Sequence, residues 1–341
     1  MDKKISINDI ARELKVSTTT VSFVLNGKAQ EKRISEGLVK IILDYVERVG
    51  YKPSHLAKSL RTGKSNVIVM LVEDISDPFF SSIARLIEQK TYNSGYKIVF
   101  CSTENDTEKT RELIKVFTYR KVDGFIIAPS PGIESEIQSL VDQNIPFVLF
   151  DRFFPGLHCN SVVVDNYTGT YNAVNHLAKN GYERIAFITV QSSQTQMDQR
   201  LRGYNKALIE LGKKPILKQI PYELHLDSED EITRFLVQNR ANLDAVIFAT
   251  NYLGITGLEV LNKLNIKLPT ELGVIVFDDS NLFKLITPSI TAISQPLSEI
   301  ADQIMQTLFK ALAADKPIEK RSVLLQTELI ERKSSAERIL I

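Results

Sequence analysis

The apolar positions change their rhythm along the chain, and three textures result. Between Ser6 and Asn26, reading SINDIARELKVSTTTVSFVLN, residues Ile7, Ile10, Ala11 and Leu14 recur at helical spacing, and Val21, Val24 and Leu25 do so after them. Ser6 with Asp9 three residues on is a capping signature, and Ser17 before Thr18 opens a second helical run. The pattern therefore predicts a helix over 7–14 and a second one from Thr18. Lys15 and Val16 join them, which is helix-turn-helix spacing. A third helix is predicted from Ser35 through Leu38, Ile41, Ile42, Tyr45, Val46 and Val49, with Gly50 as its stop.

The second texture is the stretch Tyr51 to Lys64, YKPSHLAKSLRTGK, which has too few apolar residues to bury itself and reads as a linker. Ser54 through Arg61 could form a short helix with Leu56, Ala57 and Leu60 on one side, too short to be stable in water without a partner.

From Asn66 onward, apolar runs alternate with helical patterns. VIVMLV (67–72), KIVFCS (97–102), GFIIAP (124–129) and FVLFD (147–151) read as buried parallel strands, with helical stretches such as 80–92 and 107–120 between them. RIAFITV (184–190), AVIFAT (245–250) and GVIVFDD (273–279) restart the rhythm. The expected fold class is α/β: an all-α helix-turn-helix head, a hinge, and two lobes of doubly wound parallel sheet.

Charge sharpens the reading of the head. The net charge is +1, yet residues 1–64 hold 13 Lys and Arg against 7 Asp and Glu, while the remaining 277 hold 29 against 34. A basic head on a mildly acidic body suits a phosphate-binding module that does not draw the whole protein onto polyanions. A small helical bundle with a solvated basic face is the plain alternative. The short polar run Thr18-Thr19-Thr20 at the start of the second helix favours DNA, because small side chains let a helix approach base edges closely.

The two cysteines, Cys101 and Cys159, have no metal or redox spacing, and no metal or cofactor is expected. The N-terminus lacks a secretory apolar segment and no apolar run reaches membrane-spanning length, so a cytoplasmic protein without membrane contact is expected.

With these motifs in order, the sequence resembles the lac-repressor (LacI/GalR) family of bacterial transcriptional regulators. The resemblance is carried by SINDIARELKVSTTTVSFVLNG, YKPSHLAKSL, DISDPFF (74–80), VDGFIIAPS (122–130), PFVLFDR (146–152), RLRGY (200–204), GVIVFDD, TAISQP (291–296) and TELIERKSS (327–335). It implies a two-lobed core like that of periplasmic binding proteins, in which the chain crosses between lobes three times. The implied domains are a head over 1–50, a hinge over 51–65, a head-proximal lobe over 66–164 plus 296–325, a distal lobe over 165–295, and a C-terminal segment over 326–341.

The resemblance also implies site residues. Thr18, Thr19 and Phe23 would face base edges, while Ser17, Thr20, Ser22 and Asn26 would lie near phosphates or cap the fold. Phe23 departs from the Arg or His of relatives; it could only touch a thymine methyl, or pack within the head. Lys58 and Leu60 match hinge positions that enter the minor groove, the leucine as a wedge. Two hinges side by side imply a homodimer on a roughly palindromic operator.

The implied effector cleft takes Asp74, Phe79, Phe80, Ser130, Asp151 and Arg152 from one lobe and Arg200, Asn251 and Asp278 from the other. Arg200 and Asp278 would clamp hydroxyls or a carboxylate, and Phe79 and Phe80 would offer an apolar wall. Tyr252 after Asn251, where relatives commonly carry Asp, and Ala128, where a sugar-binding relative carries Asn, are departures; a sugar remains the default effector. Gln191 to Gln199 reads as a solvated loop more than as a cleft wall. His55, His158, His176 and His225 are scattered and read as surface or capping residues.

Two rival readings follow. One is a regulator controlled by a phosphorylated carrier protein docking on the head-proximal lobe, for which Arg85 is a faint cationic candidate. The other is a small-molecule enzyme on the same fold, against which stands the lack of a glycine-rich phosphate loop, a nucleophile elbow or a His/Cys cluster. The protein is therefore expected not to be an enzyme.

Overall fold

The computed structural model describes residues 5–51, 64–314 and 319–338. The chain divides into two compact units, Met1–Asn66 and Val67–Ile341.

Among the described residues the first unit holds three helices: α1 (Ile7–Glu13), α2 (Thr18–Leu25) and α3 (Glu36–Arg48). Ser6 and Asp9 form a reciprocal capping box on α1, and the Ser17 hydroxyl accepts from the Thr20 amide at the start of α2. Lys15, in the turn between them, sits at φ +51°, the left-handed conformation that allows so short a connection. Ile10, Ala11, Val21, Val24 and Ile42 close the core. Ser35 occupies the N-cap of α3 but makes no side-chain cap bond.

The second unit holds two six-stranded sheets. The first uses β1 (Val67–Val72), β2 (Lys97–Ser102), β3 (Gly124–Ile127), β4 (Phe147–Phe150), β5 (Ser161–Val164) and β11 (Ser322–Leu325), in the order β11-β5-β4-β3-β1-β2, every pair parallel. The second uses β6 (Ile185–Val190), β7 (Ile216–Ile220), β8 (Ala245–Phe248), β9 (Gly273–Phe277), β10 (Thr291–Ser294) and β12 (Glu328–Ile330), in the order β12-β10-β9-β8-β6-β7. Only β12 runs antiparallel, against β10. The chain passes from one sheet to the other after β5, back after β10, and over once more between β11 and β12.

Helices α4 (Pro78–Asn93), α5 (Thr107–Tyr119), α6 (Glu134–Asp142) and α12 (Leu297–Ala313) flank the first sheet. Helices α7 (Asn166–Lys179), α8 (Thr195–Glu210), α9 (Glu229–Asn239), α10 (Asn251–Lys263) and the short α11 (Asn281–Leu285) accompany the second. The first sheet is covered on both faces, by one cluster containing Ile68, Phe150 and Ile304 and another containing Val69, Phe125 and Leu149. That sandwiching is why its strands read as continuous apolar runs.

The C-terminal segment does not stand apart. Beyond β12, Ser334 and Ser335 are fully buried, with the Ser334 hydroxyl donating to the Val274 carbonyl and the Ser335 hydroxyl bonded to Thr291 Oγ1, so residues 328–335 complete the second lobe. The run 191–199 is also not a solvated loop as expected. From Thr195 it is the first turn of α8, with Gln196 and Met197 buried.

Candidate DNA-reading helix and ligand cleft

On α2, Thr18 and Thr19 are exposed, and Phe23 is half-buried without joining the head core. Lys32 Nζ lies 5.5 Å from the Phe23 ring centroid, which leaves a cation over an aromatic face beside the exposed threonines. Ser17 and Thr20 are tied together at 2.8 Å through their hydroxyls, and Asn26 Nδ2 donates to the Ser22 carbonyl at 2.6 Å. Ser17, Ser22 and Asn26 thus fix the ends of α2, while Thr18, Thr19 and Phe23 present a side chain outward. Lys58 and Leu60 lie outside the described residues, as does His55.

The two sheets of the core point strand ends at a shared cavity of about 320 Å³, at the small end of the range ligand pockets occupy. Each lobe delivers an aspartate from the third strand of its sheet order. Asp151 follows β4 at φ +66° and Asp278 follows β9 at φ +72°. Both hold a backbone region that non-glycine residues rarely adopt, a strain that tends to sit at functional positions.

On the first lobe, Asp77 caps α4 by accepting from the Phe79 amide, and Pro78 stands at the helix start. That cap sets Phe79 and Phe80 at the cavity, their rings edge to face at 5.1 Å. Arg152 is 2% exposed; it donates to Glu73 Oε2 at 2.6 Å, and its Nε lies 3.2 Å from Asp151. Burial works against the Arg152 charge, but Glu73 and Asp151 together raise its pKa. Burial likewise opposes ionisation of Glu73, and Arg152 with the Tyr222 hydroxyl holds it below the usual carboxylate range.

On the second lobe, Arg200 Nε donates to Asn166 Oδ1 at 2.8 Å and its Nη1 to the Ala249 carbonyl at 2.6 Å. The guanidinium stacks 3.5 Å from the Phe277 ring centroid. Asp278 is 4.0 Å away, too far to offset its burial, so its carboxyl is pushed up to about 6 and the Arg200 pKa is lowered. Gln295 also donates to Asp278.

Of the nine residues the sequence suggested for the cleft, eight line the cavity: Asp74, Phe79, Phe80, Asp151, Arg152, Arg200, Asn251 and Asp278. Ser130 does not. Its fully buried hydroxyl is bonded to Thr110 at 2.7 Å and Thr103 at 3.3 Å, within the first lobe.

His225 caps the 3-10 turn Tyr222–Leu224, its ring Nδ1 2.6 Å from the Tyr222 carbonyl, in keeping with the capping reading, and it has a second place as well. His225 lines the cavity, its ring stacked on Tyr222 at 4.4 Å and edge-on to Tyr252 at 5.5 Å. Gln194, Gln196 and Met197, from the run 191–199 for which a cleft wall was the lesser reading, line it too, as do Glu73, Asp77, Tyr222 and Gln295, which were not singled out. Asp77 and Gln295 lie inside DISDPFF and TAISQP, so those motifs carried the signal; Tyr222 and His225 lie in an aperiodic loop after β7 that carried none.

Side chains bridge the lobes across the cavity. Tyr222 donates to Glu73 Oε1 at 2.7 Å, Asn251 Nδ2 to Asp77 Oδ2 at 3.1 Å, Gln194 Nε2 to Asn105 Oδ1 at 3.0 Å, and the Phe153 amide to Thr195 Oγ1 at 3.2 Å. Among the described residues no group of His, Cys, Asp and Glu is arranged to hold a metal ion, and no helix is long and apolar enough to cross a membrane.

A helix-turn-helix head joined to a two-lobed core with a small-molecule cavity defines a DNA-binding regulator of transcription. Residues 6–54 match the family described as bacterial regulatory proteins, lacI family, and residues 174–335 match the periplasmic binding protein-like domain. The transcriptional regulator RegA of Clostridium saccharobutylicum is 32% identical over 97% of this chain and 99% of its own length, and the ribose operon repressor of Halalkalibacterium halodurans is 28% identical over 97% of both. The chain belongs to the LacI family. The fold is shared with a LacI-family regulator from Enterococcus faecium solved with bound ribose, at 24% identity and a TM-score of 0.71 over 80% of this chain and 99% of that one. A regulator CelR in complex with cellobiose matches over 97% of this chain and 99% of that chain, with a TM-score of 0.69 and 22% identity.

Proposed function

We propose that the protein is a cytoplasmic repressor that binds a palindromic operator as a homodimer and changes its affinity when a sugar occupies the interlobe cavity. The observation that carries the effector half is the meeting of Arg200, Asp278, Asp151 and Asn251, from both lobes, beside the Phe79 ring. Hydrogen-bonding groups around an apolar face suit a polyhydroxylated ring. A molecule contacting both lobes favours one lobe arrangement, and that preference couples to DNA affinity by ~1–3 kcal/mol in typical cases. A relative named as a ribose operon repressor and neighbours solved with ribose or cellobiose support the ligand class.

For the DNA half, Thr18, Thr19 and Phe23 read bases, Ser17, Thr20, Ser22 and Asn26 steady the helix near phosphates, and Lys58 and Leu60 enter the minor groove. Selection of bound sequences from a random pool should return a two-fold symmetric site. On that site Leu60→Ala should weaken binding by roughly tenfold or more while leaving affinity for random DNA nearly unchanged. Equal losses on both DNAs would remove Leu60 as a wedge, and an asymmetric site would remove the dimer.

A further inference from the structure

The two guanidiniums of the cavity already face protein acceptors, although among the described residues Arg152 Nε makes no hydrogen bond. Arg152 faces Glu73 at 2.6 Å, Asp151 at 3.2 Å and Asn105 at 3.4 Å. Arg200 spends Nε and Nη1 on Asn166 and Ala249, and one face of its plane is covered by Phe277. Against these two cations the wall holds six carboxylates, of which Glu104 is paired with Lys109 at 2.7 Å. Five remain: Glu73, Asp74, Asp77, Asp151 and Asp278. The wall is also rich in acceptors. Gln196 is 7% exposed, and its Oε1 finds no donor among the described residues. A buried acceptor left so is costly until a ligand supplies a donor.

We propose that the cavity sorts ligands by charge, admitting an uncharged or cationic molecule rich in hydrogen-bond donors and excluding its phosphorylated or carboxylated counterparts. The proposal rests on the small-molecule reading of this cavity. An entering anion would meet five carboxylates against two guanidiniums that already face carboxylates or carbonyls of the protein, and like-charge juxtaposition weakens binding strongly. Burial raises the pKa of Asp77, Asp151 and Asp278, with Arg152 and Arg200 acting against it at Asp151 and Arg200 at Asp278, while Glu73 beside Arg152 is held low. Arg200 is thus anchored on Asn166 and the Ala249 carbonyl, 4.0 Å from Asp278, with its remaining Nη2 free of a protein hydrogen bond among the described residues.

The first test needs no knowledge of the ligand. The chain contains no tryptophan, and Leu226 lines the cavity while remaining 69% exposed, so Leu226→Trp places a single indole at the mouth. At low salt, caesium should quench it several-fold better relative to iodide than it quenches free N-acetyltryptophanamide. Iodide quenching equal to or above that of the free indole overturns the proposal. The second test uses the unaltered full-length chain and calorimetry with matched sets of an aldose, its phosphate, its uronic acid and its 2-amino derivative. Binding by the neutral or amino member, with the phosphate and uronate at least ~10-fold weaker, supports the proposal; an anionic member binding more tightly than its parent overturns it. Silence across all sets refutes the sugar reading of the cavity and leaves the quenching result to decide the charge inference.

Discussion

Replacing Arg152 with methionine keeps much of the stem volume and removes the charge that holds two acidic neighbours of the cavity, Glu73 and Asp151, in place. Arg152 is 2% exposed, and its partners Glu73 and Asp151 have side chains only 18% and 9% exposed. Removing one member of a buried pair typically costs about 3–5 kcal/mol, because the partner's charge is left uncompensated. The low end applies, since Glu73 keeps the Tyr222 hydroxyl bond. A loss of about 3 kcal/mol corresponds to a melting temperature lower by roughly 6–12 °C for a unit of this size. The loss should also depend on pH. In the variant, burial acts on Glu73 and Asp151 without opposition from the guanidinium, so their folded-state pKa values lie above the unfolded ones. Such groups lose stability as pH rises, so the deficit should be largest near pH 8 and shrink toward pH 5. Adding Glu73→Gln to Arg152→Met should recover part of the loss, because one stranded charge is gone. Thermal and urea denaturation at pH 5.5 and 8 measure all of this. A loss below about 1 kcal/mol, or one identical at both pH values, would refute the reasoning that the pair is effectively desolvated.

Two further outcomes follow from the same site and its supports. Asp278, raised by burial to about 6 from an ordinary 3.8, should make the wild-type core lose stability as pH rises from about 4 to 6 and level off above, a slope that Asp278→Asn should remove; because a sugar hydroxyl donates to the ionised carboxylate, calorimetric affinity should also fall between pH 7.5 and 5, and an unchanged affinity would exclude Asp278 as a ligand acceptor. Gly203 lets α8 lie directly on the Tyr167 carbonyl of α7, where an added Cβ would sit closer than van der Waals contact permits, so Gly203→Ala should destabilise the second lobe by about 1–3 kcal/mol in urea titration.

How much of this was legible in the sequence depended on whether the signal was local. The capping box of Ser6 and Asp9 and the strands β1, β2, β3, β4, β6, β8 and β9 lay in contiguous patterns and could be read directly. The strands missed as elements were those at or near sheet edges or too short to show a run: β7 alternates half-buried and exposed positions as an edge strand, and β12 has three residues. The first turn of α8 was read as loop because Gln194 provides no side-chain cap and the helix begins with polar residues. The cleft shows a different boundary. Position at a strand end indicates which side chains can reach a cavity, and for Asp151 and Asp278 that was enough. It does not indicate what competes for them once folded. Ser130 stands at the correct strand end, yet Thr110 and Thr103 claim its hydroxyl. Arg152 and Arg200 reach the cavity, yet Glu73, Asn166 and the Ala249 carbonyl claim some of their donors. Arg200 with Asp278 therefore reads in the sequence as a clamp on hydroxyls or a carboxylate, whereas in the folded site part of the Arg200 donor set is already spent, and among the described residues both the Gln196 oxygen and Arg152 Nε are left for a ligand to satisfy.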